Sequence, residues 1–462
     1  MNNLNLNKYF VLDEMKEIFK IKISKSKSKG IDKKSFNSYN VLEKENLFLD
    51  IKKQINEKKY KFSPYLELLR IKRRDTNPRM ISIPTVKDKI VLSILKNILH
   101  EYFTESINKD QPNSYIKKIK NFIKKNQNSE LFFLKTDISQ FYDKINREKL
   151  KKKVKNKITD RFFINLLISS IENPTVPSNY KKTDTDYYRS KKGVPQGLPI
   201  SNILAQIYLN DFDVLMIKYI DNDTLYLRYV DDILIISKTN CDEKLEKIKI
   251  LLKEIGLKVN QAKTYVGKLD DTVEFLGYQI SKNPISISNR TIENQINKIA
   301  GKITWFKKGV INKNARPDKF KEDIKGFENL FIKEVNEIIT GTKSDDKNYG
   351  WLFYYIEVDD IKVFHKLDNI ISNMIKRIPY FKNKAPSKLK KTAKAYFEIK
   401  HIQDSDYIFN YNKYKTAKQK EKLLKEVAQL DDNKKYTNEE IEMQFEYYKN
   451  RNINNLKENF EY

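Results

Sequence analysis

The sequence predicts a mixed α+β fold, with strands in its middle third and helices dominating its C-terminal part. Three observations carry that expectation. Two apolar runs rich in β-branched and aromatic residues, Leu131 to Leu134 and Thr224 to Ser237, read as strands. Lys87 to Phe103 places Ile90, Val91, Ile94, Leu95, Ile98 and Leu99 at helical spacing, which marks a core-facing helix. Beyond Ile280 the character changes: Thr291 to Phe306 puts Ile292, Ile296, Ile299 and Ile303 on one helical face with lysines between.

The second strand run is interrupted by Tyr229-Val230-Asp231-Asp232. Two adjacent aspartates have no place in a buried strand, because a buried carboxylate is costly unless paired or metal-bound. A hairpin tip that offers both acids to a divalent cation is one reading. A plain Asp-Asp turn is the other, and these four residues alone weigh equally for both. A third acid tips the balance. Asp137, in Lys135-Thr136-Asp137-Ile138, closes the run that begins at Leu131, and Phe141 to Ile145 then enters a basic, helix-compatible stretch. Hard cations such as Mg²⁺ take oxygen ligands and keep water and substrate phosphates in the rest of their shell. A pair of such ions can align an attacking hydroxyl and stabilise a leaving pyrophosphate.

With these acids stand further blocks: Arg79 to Pro84 followed by Lys87-Asp88, Gly193 to Ser201 around Pro195-Gln196-Gly197, Gly256 to Lys263, and Phe275-Leu276-Gly277-Tyr278. Taken in order over residues 70 to 280, the set resembles the reverse transcriptases. The resemblance implies a right-hand polymerase with fingers, an antiparallel palm sheet, a thumb and a helical C-terminal extension. It sets fingers and N-terminal helices at 1–125, palm at 126–284 with inserted fingers elements near 150–192, a helical thumb at 285–384, and the extension at 385–462. It makes Asp137, Asp231 and Asp232 the catalytic acids. The metal set is these three with Ile138, holding two Mg²⁺ ions, for which Mn²⁺ can substitute. It gives nucleotide binding to Lys72, Arg79, Tyr142, Gln196, Gly197 and Lys263, and makes Phe275, Leu276, Gly277 and Tyr278 the primer grip. Tyr142 matches an aromatic steric gate against the 2′-hydroxyl, and Phe141 is expected to face the core. The implied partners are an RNA template, DNA product and deoxynucleotides.

Taken from the N-terminus, the 462 residues suggest roughly two to four structural units. Hydrophobic residues make up 39%, enough for a core, and the mean hydropathy of −0.68 points to a soluble chain. The net charge of +29 favours a polyanionic partner. No apolar span is long enough to cross a bilayer and no signal-peptide pattern opens the chain. The single cysteine, Cys241, excludes an intrachain disulfide framework and fits a reducing cytoplasm. Residues 1–70 are mostly helix-compatible. Lys22 to Lys34 reads as a solvated loop or as phosphate contacts. Ile71 to Arg79 reads as strand, Asp-Thr-Asn-Pro turn and second strand, flanked by Lys72, Arg73 and Arg74. Pro174 to Gly193 is a polar loop whose Tyr180, Tyr187 and Tyr188 could stack on bases or simply belong to the loop. Gln196 offers a donor and an acceptor, Gly197 permits close backbone approach, and a helix follows from about Ser201 to Tyr219. Lys263 is either a proton donor to pyrophosphate or a surface lysine. Gly341 to Asn348 reads as a polar loop, and Gly350 to Tyr355 opens another helical stretch. From about Lys384 no strand is evident. The aromatics from Ala395 to Lys415 suit base stacking or ordinary packing equally, with a priming tyrosine as a sharper variant.

The segment Gln196 to Ala205 looks most like bacterial defence-associated and abortive-infection (unknown-group) reverse transcriptases, whose template would be a dedicated non-coding RNA. A homo-oligomer or a partner protein is compatible with that reading. Retron and group II intron enzymes are the alternatives, although Tyr265-Val-Gly267 lacks the threonine of the retron motif. A nucleic-acid-binding protein with a polymerase fold and no turnover is the alternative of another class.

Overall fold

The computed structural model describes residues 5–24, 26, 28–70, 78–108, 110–402 and 404–457; Lys72, Arg73 and Arg74 lie outside these. Two compact units divide the chain, one of Met1–Asp110 with Glu130–Lys268, the other of Gln111–Ser129 with Leu269–Tyr462. The fold is mixed α+β. Among the described residues no helix is long and apolar enough to cross a membrane.

The strands of the first unit are β1 (Tyr65–Arg70), β2 (Arg79–Ile83), β3 (Phe132–Asp137), β4 (Thr175–Val176), β5 (Thr224–Tyr229), β6 (Asp232–Ser237) and β7 (Tyr265–Lys268). They form two sheets, in the orders β2-β1-β4 and β5-β6-β3-β7. Every pairing in the four-stranded sheet is antiparallel. Ile233, Leu234, Ile235 and Ile236 are all fully buried, so both faces of β6 are covered. Each such side chain contributes about 1.5–3 kcal/mol when removed from water, which makes β6 the spine of this unit. The helix Val86–Tyr102 starts where the Thr85 hydroxyl accepts from the Asp88 amide at 3.2 Å. All six apolar residues predicted to face the core there are buried. Asp88 is buried with them, and its carboxylate accepts from the hydroxyls of Tyr60 at 2.8 Å and Thr85 at 2.7 Å, which offsets its desolvation. The helix predicted from about Ser201 to Tyr219 spans those residues.

The second unit takes in the helix Pro112–Lys125, which precedes β3 in sequence. Its apolar stripe of Tyr115, Ile116, Ile119 and Ile123 is buried, and Lys120 pairs with Asp359 at 2.6 Å. The strands here are β8 (Val273–Phe275), β9 (Tyr278–Ile280), β10 (Ser286–Ile287), β11 (Thr342–Ser344), β12 (Lys347–Tyr349) and β13 (Phe409–Asn410). The lysine-studded helix spans Asn289–Ile311, and Phe306 on its buried face stacks on Phe327, Phe331 and Phe381 at 5.1, 4.4 and 5.4 Å.

Two expectations fail in this unit. Residues 341–348 are not a loop: β11 and β12 form a hairpin through Asp345 and Asp346, whose φ values of 50° and 56° suit a two-residue turn. Its strands are polar and three residues long, too short to show a hydrophobic alternation. The C-terminal segment is not strandless either, because β13 pairs in parallel with β11. The aromatics of that segment divide. Tyr396 and Tyr411 are buried, and the Tyr396 hydroxyl donates to the carbonyl of Ile356 at 3.0 Å and to that of Val358 at 2.5 Å; Phe397 is 57% exposed.

Glu337 gives this unit a pH dependence. It lines a cavity of about 550 Å³, beside Lys333 and Phe409. One of its oxygens accepts from Asn452 Nδ2 at 3.2 Å, and the other has no hydrogen-bond partner among the described residues. Burial pushes its pKa up from 4.5 to about 7, against the opposing pull of Lys333. A carboxyl with a raised folded-state pKa costs nothing below its unfolded value and its full penalty above the folded one. Glu337→Gln should therefore leave stability nearly unchanged near pH 4.5 and raise it by about 3 kcal/mol near pH 8. Denaturant unfolding at both pH values measures this; a variant less stable than the parent at pH 8 contradicts it.

Candidate active site

The register of β3 against β6 sets Asp137 directly opposite Asp232. The register of β5 against β6 pairs Tyr229 with Asp232, leaving Val230 and Asp231 as a two-residue turn. Directly opposed residues of an antiparallel pair project to the same face, so the hairpin brings its acids to the end of β3. The backbone fixes this corner. The Ile138 amide donates to the Asp231 carbonyl at 3.0 Å, and the Asn260 amide donates to the Asp137 carbonyl at 2.7 Å. Ile138 also bridges to Val259, and its side chain is buried in the core. The hydroxyls of Thr136 and Thr264 lie 2.8 Å apart.

Charge is concentrated at this corner. Burial, reinforced by contact with the Asp137 carboxylate, pushes the pKa of Asp231 up to about 6, while the charge of Arg79 opposes the shift. Lys263 forms an ion pair with Asp137, and Lys135 forms one with Asp232. Among the described residues no three acidic, imidazole or thiol side chains close into a metal cage. An open set of carboxylate oxygens is what Mg²⁺ uses when water and phosphates supply its other ligands, and the donor chemistry fits such an ion.

The residues expected to serve a nucleotide lie around the same corner in part. Tyr142 is half-buried, and burial together with the Asp231 and Tyr229 side chains raises its pKa to about 12. Phe141 beside it is buried. Arg79 opens β2, is exposed, and its charge reaches both Tyr142 and Asp231. The loop at Pro195 to Gly197 is stitched to β2: the Ser82 amide donates to the Gln196 carbonyl at 2.7 Å. Gly197 has φ +99°, and a Cβ there would stand 2.7 Å from Ile81 Cγ2. Only glycine satisfies both the dihedral and that approach. Lys263 ends a short 3-10 turn and is half exposed. Lys72 lies outside the described residues.

Phe275, Leu276, Gly277 and Tyr278 belong to the second unit. They make a tight hairpin between β8 and β9, with φ of 52° at Leu276 and 76° at Gly277. The side chains of Phe275, Leu276 and Tyr278 are buried within that unit. The Tyr278 hydroxyl donates to the Tyr354 carbonyl at 2.6 Å, and the Tyr354 hydroxyl to the Leu276 carbonyl at 3.1 Å.

Sequence reasoning missed Lys135. It stands two residues before Asp137 on β3, so strand alternation alone puts both on one face. That spacing was available as a signal.

Residues 71–280 match the family described as reverse transcriptase (RNA-dependent DNA polymerase). The chain is 24% identical over 289 residues to the putative COX1/OXI3 intron 1 protein of Saccharomyces cerevisiae, covering 49% of this chain and 34% of that protein. It is 27% identical over 180 residues to protein YkfC of Escherichia coli, covering 31% of this chain and 45% of that protein. The chain thus spans less than half the length of these curated relatives. The solved apo telomerase of Candida tropicalis aligns over 80% of this chain and 63% of its own, with 16% identity and a TM-score of 0.41. Residues 71–280 of the chain are thus similar to reverse transcriptase domains.

Proposed function

We propose that the chain is an RNA-directed DNA polymerase whose catalytic acids are Asp137, Asp231 and Asp232. The observation that carries this is the meeting of Asp137 with the Asp231-Asp232 hairpin inside the matched domain. On this reading the four-stranded sheet is the palm, the β1–β2 hairpin belongs to the fingers, and the helices after residue 285 form the thumb and the extension. The three carboxylates hold the cations, with Ile138 fixing the backbone beside them. Bound there, Mg²⁺ or Mn²⁺ supplies activation of the primer hydroxyl and neutralises charge on the leaving pyrophosphate. Arg79, with Lys72, binds triphosphate oxygens, for which a guanidinium fork is suited. Gln196 and Gly197 border the incoming base pair, and Tyr142 packs under the sugar. Lys263 neutralises Asp137 before substrate arrives, and on this reading gives a proton to pyrophosphate. The hairpin at Phe275 to Tyr278 presents backbone, not side chains, to a primer.

The finer biological reading is anti-phage defence with a dedicated non-coding RNA as template. It is supported by the Gln196 to Ala205 segment. The intron-protein reading is supported by the names of the yeast relatives. Sequencing the RNA that co-purifies with the chain separates them: a recurrent non-coding RNA favours defence, an intron transcript favours mobility.

Asp137→Asn should lower nucleotide incorporation on a primed RNA template by roughly a thousandfold or more while leaving the circular dichroism spectrum unchanged. Near-normal extension by that protein sinks the assignment.

The raised pKa of Asp231 adds a pH signature. A proton and a cation compete for this carboxylate, so protonation weakens metal binding below about pH 6. Activity at limiting Mg²⁺ should fall as pH drops through that value, and saturating Mg²⁺ should move the fall to lower pH. A rate that stays flat from pH 5 to 8 at limiting Mg²⁺ argues against Asp231 as a ligand.

Tyr142→Ala should admit ribonucleotides, raising their incorporation relative to deoxynucleotides by about tenfold or more. Competition assays measure the ratio, and an unchanged ratio removes Tyr142 from the role of steric gate.

A further inference from the structure

Val230 adopts a conformation that a β-branched residue resists. Its φ is +57°, in the left-handed region where Cβ crowds the backbone. Such strain persists only where surrounding contacts over-determine it. Here one side chain supplies a direct hold: Arg228 Nη1 donates to the Val230 carbonyl at 2.6 Å. The same guanidinium is gripped by Asp213, with Nε donating to Oδ1 at 2.7 Å and Nη2 donating to Oδ2. The Tyr226 hydroxyl donates to Asp213 Oδ1 at 2.7 Å. Tyr226 and Arg228 are two residues apart on β5 and so share a face. Asp213 comes from the helix Ser201–Tyr219, which is anchored in the core by Phe212 and Met216. The Arg228 side chain is 8% exposed.

We infer that Asp213 and Arg228 are positioning residues: they clamp the strained Val230-Asp231 turn to a rigid helix and so set Asp231 and Asp232 for cation binding. The inference rests on the polymerase reading of those acids. A guanidinium can do this because its donors form a planar fork, three of whose nitrogens are in use; a lysine ammonium cannot span the carboxylate and the carbonyl together. A buried ion pair is by itself weak evidence of stabilisation. The third hydrogen bond, to the one residue of the turn with positive φ, gives this pair a task beyond joining helix to strand.

Steady-state primer extension with Mg²⁺ titration tests the clamp on the parent chain, Arg228→Lys, Asp213→Asn, Val230→Gly and each double variant with Val230→Gly. Asp137→Asn serves as the inactive control. Arg228→Lys and Asp213→Asn should lower kcat by about tenfold or more, change the deoxynucleotide KM by less than about threefold, and raise the half-saturating Mg²⁺ several-fold. Both losses should shrink in the Val230→Gly background, because glycine holds a positive φ without strain. Arg228→Lys keeps a charge facing Asp213 while giving up the two-pronged grip and the hold on the turn, so it decides the matter even where Asp213→Asn does not fold. Parental rates and Mg²⁺ dependence in Arg228→Lys overturn the clamp, as does a loss of equal size in the valine and glycine backgrounds. A parent chain as inactive as Asp137→Asn overturns the polymerase reading itself, and the clamp's role with it.

Discussion

The register between β3 and β6 is the constraint on which the rest of the first unit depends. It alone makes Asp137 the neighbour of Asp232, residues that lie far apart in the chain. Hydrophobicity does not fix it. β6 is buried on both faces from Ile233 to Ser237, so a one-residue slip would still bury its apolar side chains. Polar and backbone contacts supply the specification. The two-residue turn at Val230-Asp231 fixes β5 against β6, and the paired hydroxyls of Thr224 and Ser237, 3.0 Å apart, mark the far end of that ladder. At the near end, the Ile138 and Asn260 amides pin the carbonyls of Asp231 and Asp137. A slip would break these bonds and leave buried donors unpaired, at about 1–3 kcal/mol each.

The same corner gathers charge that the fold must manage. Asp137 and Asp231 touch, and Asp231 is disfavoured as an anion by burial and by its neighbour. Lys263 and Lys135 answer Asp137 and Asp232. A site that crowds carboxylates at the expense of their ionisation is poised to gain from a cation. The proposed chemistry uses that gain, and the net charge of +29 gives the chain a field that favours a polyanion.

Much of this corner was legible in the sequence. Asp137, Asp231 and Asp232 stand out because acids interrupt or end apolar β-branched runs, a pattern with few structural explanations. The helices at 86–102 and 201–219 were legible from apolar spacing and from the break at Pro195 to Gly197. The hairpin at 342–349 was not, because its strands are short and polar and it is built on the dihedrals of Asp345 and Asp346. Nor was the grouping of Pro112–Lys125 with the second unit, since its amphipathic stripe shows that it packs but not against what. The clamp at Asp213 and Arg228 shows a further limit. Neither residue stands out in the sequence, and only the tertiary fold joins helix, strand and turn.

The central claim is that three carboxylates, brought together by strand register, form a divalent cation site. Electron paramagnetic resonance of Mn²⁺, titrated into the chain with a primed RNA template and a deoxynucleotide, measures it most directly. The account predicts about two bound ions per chain, with occupancy lost when Asp137 and Asp231 are both replaced by asparagine. Equal Mn²⁺ binding by the parent and the doubly substituted chain would contradict it.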